Sequence, residues 1–108
     1  MNVRDLAEKL ELTAFALPDA DRTAEGVYIG DLLSWVMGRA QSGQVWITIM
    51  SNINVIAVAS LSDVACVVLA EGVTVEESIL EAANQRGINL LGSNKPAYEI
   101  ALELSRFV

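Results

Sequence analysis

The polar residues with the best claim to chemistry fall in four short turns, Gly30-Asp31, Ser51-Asn52-Ile53-Asn54, Glu71-Gly72 and Gly92-Ser93-Asn94. Each follows a short apolar run and leads toward a segment with helical spacing of its apolar residues. In an open parallel sheet, ligands bind in the crevice outside the carboxyl ends of the strands. Helix N-termini arriving there present unpaired N–H groups. This makes Gly30, Asp31, Ser51, Asn52, Asn54, Glu71, Gly72, Ser93 and Asn94 the candidate ligand-binding residues. The same types also serve capping, so Asp31, Asn52, Thr74 and Asn94 double as candidate N-caps.

What these residues can do is narrowed by what the chain lacks. It has no histidine, which removes Ser–His and Cys–His nucleophile pairs, phosphohistidine chemistry and imidazole metal ligands. No GxxxxGK[ST] loop is present, and Lys95 is the one base near the four turns, with Asp31 and Glu71 opposing an anion. Those two acids could attract a divalent cation or a ligand amine. Without a third ligand they specify no metal, and no cofactor motif occurs. As a general base, Asp31 or Glu71 would support a small enzyme, but no nucleophile–base pair follows from the spacing.

The remaining composition points the same way. A net charge of −7 with scattered basic residues argues against nucleic acid, which needs a basic stripe to release counterions. Cys66 is the only cysteine and sits inside an apolar run, where a thiol serves as a small hydrophobe. Asn52, Asn54, Ser60 and Asp63 interrupt the longest apolar stretch, so no membrane span is expected. The opening MNVRDLAEKLEL carries Asp5, Glu8 and Glu11 and has no export core. The expected location is cytoplasmic.

The elements that position the turns are organised around Gln44–Gly72. Val45–Met50 and Ala65–Leu69 read as strands covered on both faces, and Ile53–Leu61 as the crossover helix between them. This helix shows no continuous polar face: Asn54 and Ser60 are separated by 120° on a helical wheel. Something beyond its own sheet is therefore expected to cover it.

Taken in order, Asn2 caps a helix Val3–Leu10, and Leu12–Leu17 is a strand ended by Pro18-Asp19. Asp19–Gly26 is a polar loop, expected to be mobile. Val27–Ile29 is a minimal strand, after which Asp31 caps a helix Leu32–Ala40. Thr74 and Glu77 fit a capping box for Val75–Gln85, which Gly87 ends. Ile88–Leu91 is a strand, Ser93-Asn94 a cap, and Pro96 opens a last helix ending near Phe107. The alternation predicts one α/β domain over residues 1–108, with a mostly parallel sheet of about five strands. Trp35, on a helix stripe, and Trp46, within a strand, suit core or interface packing better than a ligand platform; with Ile53, Ile56 and Val58 of the all-apolar helix they are the candidate dimer-interface residues.

The run GVYIGDLLSWVMGRAQSGQVWITIMSNINVIAVASLSDVACVVLAEG, followed by INLLGS and AYEIALEL, resembles the small stand-alone members of the DRTGG-domain family. The resemblance covers most of the chain from Gly26 onward. It implies a three-layer α/β/α fold like the N-terminal domain of HPr kinase/phosphorylase. In larger proteins such domains accompany CBS pairs or phosphotransacetylase domains as regulatory or dimer-forming modules, and stand-alone members often lie near hydrogenase-related genes. This chain departs from the name-giving motif. Ser51-Asn52 stands where longer members have Asp-Arg, and Glu71-Gly72 where they have Thr-Gly-Gly. Stand-alone relatives commonly carry a histidine at the position of Asn52. The literal Asp21-Arg22-Thr23 falls in a loop and reads as coincidence.

Three functions follow as expectations. The first is a non-catalytic regulatory or sensing module, acting as a homodimer and binding a small molecule or a partner protein. The second is an adaptor in a hydrogenase-related redox assembly. The third is the small enzyme with an acidic general base.

Overall fold

Every residue of two strands, β3 (Val45–Thr48) and β4 (Cys66–Leu69), is buried. This is the outcome expected of short apolar runs with no alternation, which need cover on both faces. They are the centre of the sheet in a computed structural model that describes residues 1–108. β1 (Thr13–Ala16), β2 (Val27–Ile29) and β5 (Leu90–Gly92) complete it in the order β1-β5-β4-β3-β2. The pairs β2–β3, β3–β4 and β4–β5 are parallel, and β1 joins β5 antiparallel. The expected three-layer α/β/α arrangement with a mostly parallel sheet is the one observed.

Five helices make the outer layers: α1 (Val3–Lys9), α2 (Leu33–Arg39), α3 (Ile53–Ser62), α4 (Glu77–Arg86) and α5 (Ala97–Leu104). On one face, Val36, Val55, Ile56, Ala59, Ile79 and Ala83 from α2, α3 and α4 pack against Trp46, Val67, Leu69 and Leu90. On the other, Val3, Leu6, Ile100 and Leu104 from α1 and α5 pack against Val45, Ile47, Cys66, Val68 and Leu91. Strand alternation divides the residues between the two cores. No helix is long and apolar enough to cross a membrane.

The absence of a polar face on α3 has a more local cause than expected. It is the middle helix of its layer and packs against both α2 and α4. Its own chain therefore covers Val55, Ile56, Val58 and Ala59. Asn54 and Ser60 both lie on the outer half, beside exposed Ile53 and Leu61.

Several local expectations need correction. Asp31 does not cap α2, whose N-cap is Leu32 with no side-chain bond. The Thr74–Glu77 capping box does not form, because α4 begins at Glu77 after an N-cap at Glu76. Asn94 does not cap α5, which starts after Pro96. Asn2 does cap α1, accepting from the Asp5 amide at 2.8 Å.

The loop Asp19–Gly26 is tied down along its length. Val3 N–H donates to Arg22 O, Ala24 N–H to Met1 O and Glu25 N–H to Gly43 O. Asp21 pairs with Arg4, Arg22 with Asp63, and Thr23 bridges to Asn2. Buried Asn89 clamps the loop's start, accepting from Asp19 N–H at 2.9 Å and donating to Asp19 O at 2.8 Å and Ala65 O at 2.9 Å. All three residues of the literal Asp21-Arg22-Thr23 thus serve local structure.

Candidate functional site

The carboxyl ends of β2, β3, β4 and β5 gather at one end of the sheet, as parallel pairing requires. At the end of β2, polar groups are consumed by the sheet itself. The Trp46 indole N–H donates to Gly30 O at 2.8 Å, which satisfies a ring that is otherwise fully buried. Asp31 Oδ1 accepts from Thr48 Oγ1 at 2.8 Å and from the Ile49 amide at 3.1 Å. Its carboxylate stitches the end of β2 to the end of β3.

At the end of β3, Asn52 Oδ1 accepts from the Asn54 amide at 2.9 Å and caps α3. Beside this cap, the N-terminal ends of α3 and α4 frame an open hollow of about 400 Å³. Ser51, Asn52, Ile53, Glu76, Ser78 and Ile79 line it. Its one charged side chain is Glu76, and no lysine or arginine reaches it. A hydroxyl-, amide- or amine-bearing ligand suits this lining, and a polyphosphate does not.

The end of β4 is a tight reversal with Glu71 and Gly72 both in the left-handed region, at φ 63° and 71°. The Glu71 amide donates to Lys95 O at 3.0 Å and the Gly72 amide to Ser93 O at 2.9 Å, so this turn clasps the loop after β5. Ser93 Oγ accepts from the Lys95 amide at 3.1 Å. Here lies a smaller hollow of about 180 Å³, whose lining includes Thr13, Gly72, Thr74, Gly92, Ser93 and Asn94. The Lys95 ammonium is engaged by Glu103 instead of facing either hollow.

The nine candidate residues therefore divide. Ser51 and Asn52 share one hollow, and Gly72, Ser93 and Asn94 share the other; Gly30, Asp31, Asn54 and Glu71 line neither. Glu76 and Ser78 belong with Ser51 and Asn52, which the sequence reading missed. Placing Glu76 inside a helix from Val75 hid the non-helical segment Val73–Glu76, which borders both hollows. The signal available was Val73-Thr74-Val75, β-branched residues that favour extended backbone.

A third hollow, about 380 Å³, opens at the opposite end of the sheet among Asp19, Arg22, Ser60, Asp63 and Arg86. Arg22 donates to Asp63 Oδ1 and to Asp63 O, both at 3.0 Å. The hydrogen bond from Arg22 chiefly, and that from Ser42 next, hold the Asp63 carboxyl below its ordinary pKa. No group of three or more Asp, Glu or Cys side chains converges to hold a metal ion.

The candidate dimer-interface residues also divide. Trp46, Ile56 and Val58 are core residues, at 0%, 1% and 5% exposure. No second chain can reach them, because α2, α3 and α4 already cover that face of the sheet. Trp35 and Ile53 are exposed at 53% and 51%. Cys66 is buried, and burial pushes its thiol pKa up to about 12.

No protein-family model matches the chain, and no curated protein matches it in sequence. Among solved structures, the chain is similar to the CBS and DRTGG domains of the regulatory region of Clostridium perfringens pyrophosphatase, complexed with the activator diadenosine tetraphosphate. The TM-score is 0.77 at 12% identity, over 95% of this chain and 45% of that one. The fold is DRTGG-like. The chain spans under half the length of that regulatory region, and the likeness is one of fold.

Proposed function

We propose that this chain is a non-catalytic regulatory module, a single DRTGG-like domain that works in the cytoplasm as a homodimer and senses a small ligand. The observation that carries the reading is the fold's likeness to a regulatory region that binds an activator. The hollow between Asn52 and Glu76 adds a place for a ligand, at the strand ends where such sheets bind one. Its lining favours a neutral or amine-bearing molecule over the dinucleotide tetraphosphate of the similar structure. The enzyme reading draws less support, since Asp31 Oδ1 is engaged by Thr48 and Ile49 and neither Asp31 nor Glu71 lines a hollow.

Native mass spectrometry of the purified, untagged chain tests this. The expected result is a dimer carrying a noncovalent adduct that denaturation releases, and Ser51→Phe, which fills the hollow, should abolish the adduct. The reading fails if no adduct is seen and a library of amines, amino acids, nucleosides and diadenosine tetraphosphate leaves the melting temperature unchanged.

A further inference from the structure

The two edges of the sheet are finished differently. At the β1 edge the pairing register shifts between Ala14 and Ala16, and Pro18 follows at once. Irregularities and prolines of this kind keep an edge from pairing with another chain. The β2 edge has no such guard: Val27-Tyr28-Ile29 holds no charge, no proline and no bulge.

Its backbone is poised for a partner. Val45 N–H donates to Gly26 O at 2.9 Å and Gly30 N–H to Ile47 O at 3.1 Å. Tyr28, between them, therefore turns its polar groups inward. The N–H and C=O groups of Val27 and Ile29 then point outward from the sheet.

Both flanks of this edge are apolar. The connection from β2 through α2 to β3 takes the right-handed crossover. With Val36 buried, helical spacing then turns Leu32, Trp35 and Arg39 toward the open edge. On the other face α5 packs over β2 and β3, and with Ile100 and Leu104 buried the same reasoning turns Tyr98 toward that edge. Ile29, Leu32, Trp35 and Tyr98 are exposed at 51%, 57%, 53% and 74%. Together they leave roughly 400–500 Å² of side-chain surface in water, before backbone and the Arg39 stem are added. A standard interface takes about 800 Å² from each partner. The Arg39 guanidinium lies 3.8 Å over the Trp35 ring, so a cation borders this patch in a chain of net charge −7.

We infer that β2 pairs antiparallel with β2 of a second copy of this chain, joining two sheets into one of ten strands. This rests on the homodimer reading above and names its surface. A two-fold axis normal to the sheet sets each α2 beside the other α2 and each α5 beside the other α5. Unpaired donors on one β2 then meet unpaired acceptors on the other. A lone peptide strand would satisfy the backbone but leave Trp35 and Tyr98 in water. An edge flanked by helices on both faces is covered by another edge of the same kind.

The test combines sedimentation equilibrium with amide hydrogen exchange on the full chain. The expected result is a dimer in which the Val27 and Ile29 amides exchange slowly, and faster on dilution. Ile29→Pro removes an outward donor and no internal hydrogen bond, so it should give a folded monomer. Trp35→Glu, at an exposed position, should weaken the dimer at least tenfold without altering the monomer's circular dichroism, and stands in if the proline variant does not fold. A wild-type dimer with fast-exchanging Val27 and Ile29 amides, or one that survives Trp35→Glu unweakened, overturns the edge pairing and leaves the homodimer intact. A wild-type monomer overturns both.

Discussion

Asp31 joins the ends of β2 and β3 through one carboxylate oxygen. An acid just before a helical segment reads as an N-cap or a ligand group, yet its carboxylate accepts from Thr48 and from the Ile49 amide. Thr48 is 2% exposed, so its hydroxyl has no water to fall back on. Asp31→Ala should cost about 1–3 kcal/mol in urea unfolding, the penalty for orphaning a buried donor. Asp31→Asn keeps the accepting oxygen and should recover most of that loss. Cys66 is the converse case, a reactive type made inert by its surroundings. With its thiol pushed up to about 12 by burial, the thiolate is scarce at neutral pH. Iodoacetamide at pH 8 should label the native protein on the order of 100-fold more slowly than the urea-unfolded chain.

At the scale of elements, helix starts separate into those held by a side chain and those that are not. Asn52 accepts from the Asn54 amide, whereas α4 and α5 begin without a side-chain cap. Asn52→Ala should therefore destabilise by about 1 kcal/mol. Thr74→Ala should stay within about 0.5 kcal/mol, as surface changes away from such contacts do. Thermal or urea denaturation of the pair distinguishes them. Strand β5 carries a tighter constraint. A methyl group at Gly92 would sit 2.5 Å from the Phe15 ring, so the ring occupies the space that a side chain there would need and would have to shift. Gly92→Ala should cost about 1–3 kcal/mol by overpacking, read from the same curves, and shift the aromatic signals of Phe15.

The whole molecule is closed by contacts distant in sequence, and one of them adds a small dependence on pH. Arg22 reaches across to Asp63 and Ser42, while Asn89 anchors Asp19. Arg22 and then Ser42 lower the Asp63 carboxyl. The folded state therefore binds that proton less readily than the unfolded chain. The resulting stabilisation is present above the unfolded value of about 3.9 and is lost as pH falls through the lower folded value. Asp63→Asn should flatten the fall in melting temperature below about pH 4. The effect should be small, because the Asp63 side chain is largely solvated.

How much of this was legible follows from the range of each interaction. The sequence by itself determined the alternation of strands and helices, the two fully buried central strands, the α3 cap at Asn52 and the ending of α4 at Gly87. Each depends on residues a few positions apart, and hydrophobic period and capping chemistry act at that distance. It also placed the carboxyl-end turns together, because parallel strands leave no other arrangement. Tertiary structure alone decided which turn residues are free. Asp31 is taken up by a neighbouring strand, and the loop Asp19–Gly26 is pinned by partners up to 70 residues away. It also decided that α3 lies between two helices, which buries Ile56 and Val58 within the chain, while β2 is left at the edge. Those outcomes depend on which elements become neighbours, and strand order is fixed by packing of the whole sheet, beyond the reach of any local pattern.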